Sequence, residues 1–145
     1  MMVDTHVFNS PLEASVRAVS FLDSYYPKSL DFERLMKIDY ILVNSGDFGG
    51  PESLHPKIPN RKGELSSRRE TVRAGLELMT RFELIEIILT HDGIFYRATE
   101  KANPYLELMK SNYSTVIRRR SEWLVNELCD AGFESFDNNL SKKVF

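Results

Sequence analysis

Cysteine is the scarcest chemistry in this sequence. Cys129 is the only one among 145 residues, so no disulfide framework and no multi-cysteine metal site can form, and a reducing compartment is the natural setting. Histidine is sparse too. His6, His55 and His91 fall in three distant segments without the spacing of metal ligands on a helix, and they read as surface residues. No run of about 18 apolar residues occurs, and the opening MMVDTHVFNS lacks the basic and apolar regions of a secretion signal; a cytoplasmic protein is expected. Neither sign of charge dominates, since 19 Lys and Arg face 21 Asp and Glu, a net charge of −2. That balance excludes a surface that grips a polyanion all over and leaves room for a local basic patch.

What remains is ordinary globular material, 42% hydrophobic and 28% charged, sized for one domain. Residues 1–8 show no periodicity and read as a flexible N-terminal arm. Ser10-Pro11-Leu12-Glu13 is a helix start, with a capping serine, a proline where the missing N–H costs nothing, and a glutamate to complete the capping box. Leu12, Val16, Val19, Leu22 and Tyr26 follow at helical spacing, which predicts a first helix over about 11–25. Asp31 is the next cap, and Leu35, Ile38, Ile41 and Leu42 predict a second helix over roughly 32–44.

From Ser45 to Gly63 the composition shifts, with four of the seven glycines and three of the six prolines. A connection so long within a small domain is either functional or an inserted loop. A third helix is predicted from about Glu64 to Arg81, with Leu65, Val72, Leu76 and Met79 inward and Gly75 marking close packing against another helix. The period then changes. Leu84 to Leu89, the turn His91-Asp92-Gly93 and Ile94 to Arg97 read as a β-hairpin. The adjacent Ile87 and Ile88 break strict alternation, which implies a bulge or a strand covered on both faces. Thr99 can cap a last helical region in which Pro104 marks a first turn or a kink, and a stripe from Leu106 to Leu128 carries it to about 130. The tail, 131–145, keeps Phe133, Phe136 and Phe145.

This order predicts an α+β, mostly α fold: a winged helix of three helices, a two-stranded β-hairpin wing and a long C-terminal helix over residues 9–130. Winged helices bind DNA, RNA or protein, so the fold alone does not select a function.

No catalytic, cofactor or metal site emerges. Cys129, near the end of the last helix, reads as a small buried residue. Gly46-Asp47-Phe48-Gly49-Gly50 lacks the Lys-Ser/Thr of a phosphate loop, and Glu83 and Glu86 read as the solvated side of a strand. Between Lys57 and Arg73, six basic residues face two acids. Arg61, Lys62, Arg68, Arg69 and Arg73, with Arg97 on the wing, are therefore candidate DNA contacts; the alternative is a solvated helix face on which Glu70 pairs locally. Arg120, close to the apolar stripe, is placed to reach a partner's carboxylate. Trp123, Phe133, Phe136 and Phe145 either anchor a protein interface or fold back over the core.

The stretches Asn9-Ser10-Pro11-Leu12-Glu13, Leu35 to Tyr40, Asn44-Ser45-Gly46-Asp47-Phe48, Gly50-Pro51-Glu52-Ser53-Leu54-His55-Pro56, Arg61 to Leu65 and Gly93 to Thr99 together resemble the middle component of bacterial ABC-three-component systems, the second of the middle-component families. The resemblance implies a small non-catalytic subunit that bridges or regulates a large ATPase related to SMC and Rad50 proteins and an effector, often a nuclease, in anti-phage or anti-plasmid defence similar to Lamassu. It implies no catalytic residues. It also gives the odd loop a purpose, the presentation of Phe48, Leu54 and His55 to the ATPase from a frame stiffened by Gly-Gly-Pro and His-Pro. The rival expectation is a stand-alone winged-helix DNA-binding regulator.

Overall fold

The computed structural model describes residues 10–51 and 61–144, with the side chains of residues 47, 61–67, 131 and 135–144 outside that description. The arm over 1–8 and the segment with Leu54 and His55 therefore lie outside the described residues. Helix α1 (Pro11–Ser24) starts as its sequence dictates, with the Glu13 N–H donating to Ser10 Oγ at 3.2 Å behind Pro11. From Ala14 to Leu22 it is buried on every side, because α3 (Arg61–Arg81) packs along it on one flank and α5 (Asn112–Val144) on another. The packing against α3 is close at Gly75, where a Cβ would lie 2.8 Å from the Ser15 backbone nitrogen. Only a glycine lets the two backbones approach so nearly.

Strand β1 (Leu30–Asp31) precedes α2 (Phe32–Val43), and Asp31 stands at the N-cap position of α2 without a capping bond; its carboxylate lies 3.8 Å from Arg34 instead. Helix α3 ends in a turn that ties off its last carbonyls, with the Leu84 N–H on the Met79 carbonyl and the Glu83 N–H on the Thr80 carbonyl, both at 3.0 Å. Glu83 takes the left-handed position of that turn (φ 62°), where glycine is the usual occupant.

Strands β2 (Ile85–Thr90) and β3 (Gly93–Ala98) form the expected hairpin, with Gly93 supplying the positive φ of 125° at the turn. The sheet is three-stranded and antiparallel in the order β1-β3-β2. The fold is thus α+β and mostly helical, with one strand more than the sequence suggests. The hairpin register runs unbroken from Ile85 opposite Ala98 to Thr90 opposite Gly93. The predicted bulge is absent, and Ile87 and Leu89 are exposed rather than covered on both faces.

The last helical region is two helices. Helix α4 (Ala102–Leu108) stops, and Ser111 restarts the chain by accepting the Ser114 N–H on its Oγ at 3.1 Å. Gly132, at φ 78° and ψ 166°, interrupts α5. One contiguous core joins Val19, Phe21 and Leu22 of α1, Leu35, Ile38 and Leu42 of α2, Val72, Leu76 and Met79 of α3, Ile85 and Ala98 of the sheet, and Leu124 of α5.

Candidate functional site

The residues that sequence reasoning selects gather in three places. The first is the Ser45-to-Pro51 loop. After α2 the chain makes a 3₁₀ turn (Ser45–Phe48), and Gly49 at φ 77° turns it back so that the Gly50 N–H reaches the Ser45 carbonyl at 3.0 Å. Ser45 Oγ donates to the Pro51 carbonyl at 2.7 Å and accepts from the Arg120 guanidinium of α5. Gly50 lies flat against the Trp123 indole, which any side chain at that position would overlap. Phe48 meets Tyr40 edge-on, with ring centroids 6.3 Å apart. Two candidate interface sets, Phe48 from the loop and Trp123 from the last helix, are thereby brought together against the core. Arg120, expected to reach a partner's carboxylate, is buried and bonded to this chain's own serine, which corrects that reading.

The second place is a charged cluster that the sequence reading did not select. Arg17, on α1, is fully buried. Its Nε donates to Asp39 Oδ1 at 2.5 Å and its Nη1 to the Tyr113 hydroxyl at 2.6 Å. Arg68 Nη1 donates to the other Asp39 oxygen at 2.8 Å. Burial pushes the Asp39 pKa up, but the two guanidiniums and their hydrogen bonds override it and hold the carboxyl below its usual range. Burial raises the pKa of Tyr113. Four helices meet here. The readable signal was a pair of opposite charges, Arg17 and Asp39, set among the apolar residues of two neighbouring helices. Arg68 was expected to contact DNA; at 1% exposure and paired with Asp39, it cannot reach a phosphate, and that candidate is withdrawn.

The third place is the exposed basic side of α3. Arg69 binds Glu33 of α2 through two hydrogen bonds of 2.6 and 3.1 Å, which lower the Glu33 pKa. Arg73 lies over the Phe32 ring at 4.2 Å and Arg69 over the same ring at 5.7 Å. Arg97 pairs across the hairpin with Glu86. The side chains of Arg61 and Lys62 lie outside the described residues. At the far end of the chain, Phe133 packs against the core with the Arg34 guanidinium 5.1 Å from its ring centroid; Phe145 and the side chain of Phe136 lie outside the described residues.

Cys129 is exposed rather than buried. Among the described residues no group of three or more His, Cys, Asp or Glu is placed to hold a metal ion, and no helix is long and apolar enough to cross a membrane. Among known protein families, the model described as ABC-three component (ABC-3C) system Middle Component 2 matches residues 7–145. No curated protein and no solved structure matches.

Proposed function

This chain belongs to the ABC-three component system middle component 2 family, and from that premise we propose that it is a non-catalytic adaptor linking an SMC/Rad50-like ATPase to an effector, often a nuclease, in a bacterial anti-phage or anti-plasmid defence complex related to Lamassu. The observation that carries this reading is the family match itself, which spans residues 7–145. The geometry supports it. Arg17, Asp39, Arg68 and Tyr113 lock four helices together and Arg120 ties α5 to the Ser45 loop, which suits a rigid bridging body.

We read the architecture as a winged helix, with β2 and β3 as the wing and β1 closing the sheet against β3. DNA backbone contact by this subunit falls to Arg69 and Arg73, the exposed members of the α3 set among the described side chains. The platform formed by the Ser45-to-Pro51 loop and α5 is the proposed ATPase-docking face, and Leu54 and His55, outside the described residues, remain candidate contacts for the same partner.

Co-expression with the two other components, followed by size exclusion and mass measurement, tests the adaptor. A single complex containing all three is expected; a middle component that elutes alone sinks the reading. Sequence-selective duplex binding by the isolated protein, with a dissociation constant below about 1 µM, would favour the stand-alone regulator instead.

A further inference from the structure

The hairpin ends the sheet on an open edge. Strand β3 is flanked by β1 on one side and β2 on the other, and among the described residues nothing pairs with the outer edge of β2. The Leu84 carbonyl accepts the Thr99 N–H at 3.0 Å, and antiparallel pairs alternate between bonded and unbonded. The backbone groups of Ile85, Ile87 and Leu89 therefore point away from β3, outward along the edge.

These same residues share one face of the hairpin with Ala98, Tyr96 and Ile94, their partners in register. The base of that face is core, with Ile85 and Ala98 buried. The tip is not: Ile87 is 50% exposed, Ile94 54% and Leu89 76%. Soluble proteins protect such edges with lysine, proline, a bulge or a very short strand. Ile85–Thr90 has none of these, and its one charge, Glu86, is already tied to Arg97 within the hairpin.

We propose that the β2 edge is a dimerisation edge, pairing antiparallel with β2 of a second copy of this chain about a two-fold axis at Ile87. The strand is self-complementary in that register. Ile87 stands opposite Ile87, Ile85 opposite Leu89, and Glu86 opposite Ile88, so apolar residues line one face throughout and no like charges meet. A register centred on Glu86 would set the two carboxylates against each other. The outward N–H and C=O groups of Ile85, Ile87 and Leu89 all find partners, and two three-stranded sheets become one. The inference concerns the chain alone and goes beyond the adaptor reading, so either can fail without the other.

Sedimentation velocity on the full chain tests it. Loading at concentrations up to about 100 µM should shift the mass from 16.8 kDa towards twice that value, as a dimer with a micromolar dissociation constant would. Ile87→Pro removes an N–H that the hairpin does not use and should leave a monomer with an unchanged far-ultraviolet spectrum. Leu89→Lys, which keeps the backbone intact, should weaken the dimer by about tenfold or more and decides the matter should the proline variant unfold. Ile94→Lys alters the same apolar face on the inner strand and should leave the dimer in place. A wild-type monomer across the whole range, a dimer indifferent to both edge substitutions, or one dissociated by Ile94→Lys alone overturns the proposal.

Discussion

Arg68 and Arg69 are neighbours on α3, and Asp39 and Glu33 lie on the facing helix α2, yet the two ion pairs they form belong to different physical worlds. Arg68–Asp39 is sealed in the interior with Arg17 as a second cation, while Arg69–Glu33 lies in water. Inside, each charge has been stripped of solvent, so the carboxylate is held by its partners or not at all, and removing one partner strands the others. Outside, water takes over whatever the partner relinquishes. The comparison teaches that the basic character of α3 is divided. Among its described side chains, the inward Arg68 fixes the fold, and Arg69 and Arg73 face outward.

Substitutions can break this contrast, starting at the buried end. Asp39→Ala leaves two guanidiniums facing one another without their carboxylate and should cost about 3–5 kcal/mol in chemical denaturation. A loss below about 1 kcal/mol would mean that the cluster is not the clamp described. The same site governs acid sensitivity. Asp39 has a folded pKa below its unfolded value, so its contribution is complete above about pH 4 and fades as pH falls further through the folded pKa. Asp39→Asn should flatten that part of the stability–pH profile.

An intermediate effect is expected where the loop meets α5. Gly50→Ala puts a methyl into the indole of Trp123, which should cost about 1–3 kcal/mol and, since Trp123 is the sole tryptophan, shift the intrinsic fluorescence. An unchanged emission spectrum would show that the loop does not rest on the ring. Glu33→Ala, at the exposed end, should cost no more than about 1 kcal/mol, and less at high salt. Arg69→Ala with Arg73→Ala should leave stability nearly unchanged and reduce the salt dependence of any DNA binding by the assembled complex. If the slope does not move, this face is not where DNA lies.

Much of the scaffold could be read from the chain because local chemistry and tertiary packing agree there. Ser10-Pro11-Leu12-Glu13 begins α1, Pro27 follows its end, and Gly93 turns the hairpin at the positive φ that glycine allows. Gly75 was legible as a close helix contact, and α3 does approach α1 there. Strand β1 escaped notice because two residues carry no periodicity, and Asp31 looked like a cap when its position also serves the sheet. The break before α5 had a signal, Ser111 three residues ahead of Ser114, that the continuous apolar stripe overrode. The candidate site was harder to read. A list of basic residues does not reveal which arginine faces inward; that depended on Asp39, a lone carboxylate on the apolar side of another helix.

The buried cluster also bears on how the chain folds. Arg17 and Tyr113, bonded through one guanidinium, are separated by 96 positions in sequence, and Asp39 and Arg68 lie between them. No local segment can assemble this junction; it closes only when α1, α2, α3 and α5 have all arrived, after most loop-closure entropy has been spent. Contacts of that kind belong late on the folding route. Asp39→Ala is therefore expected to accelerate unfolding far more than it slows refolding, so that the cluster acts as a latch on the finished molecule and sets how long it stays folded.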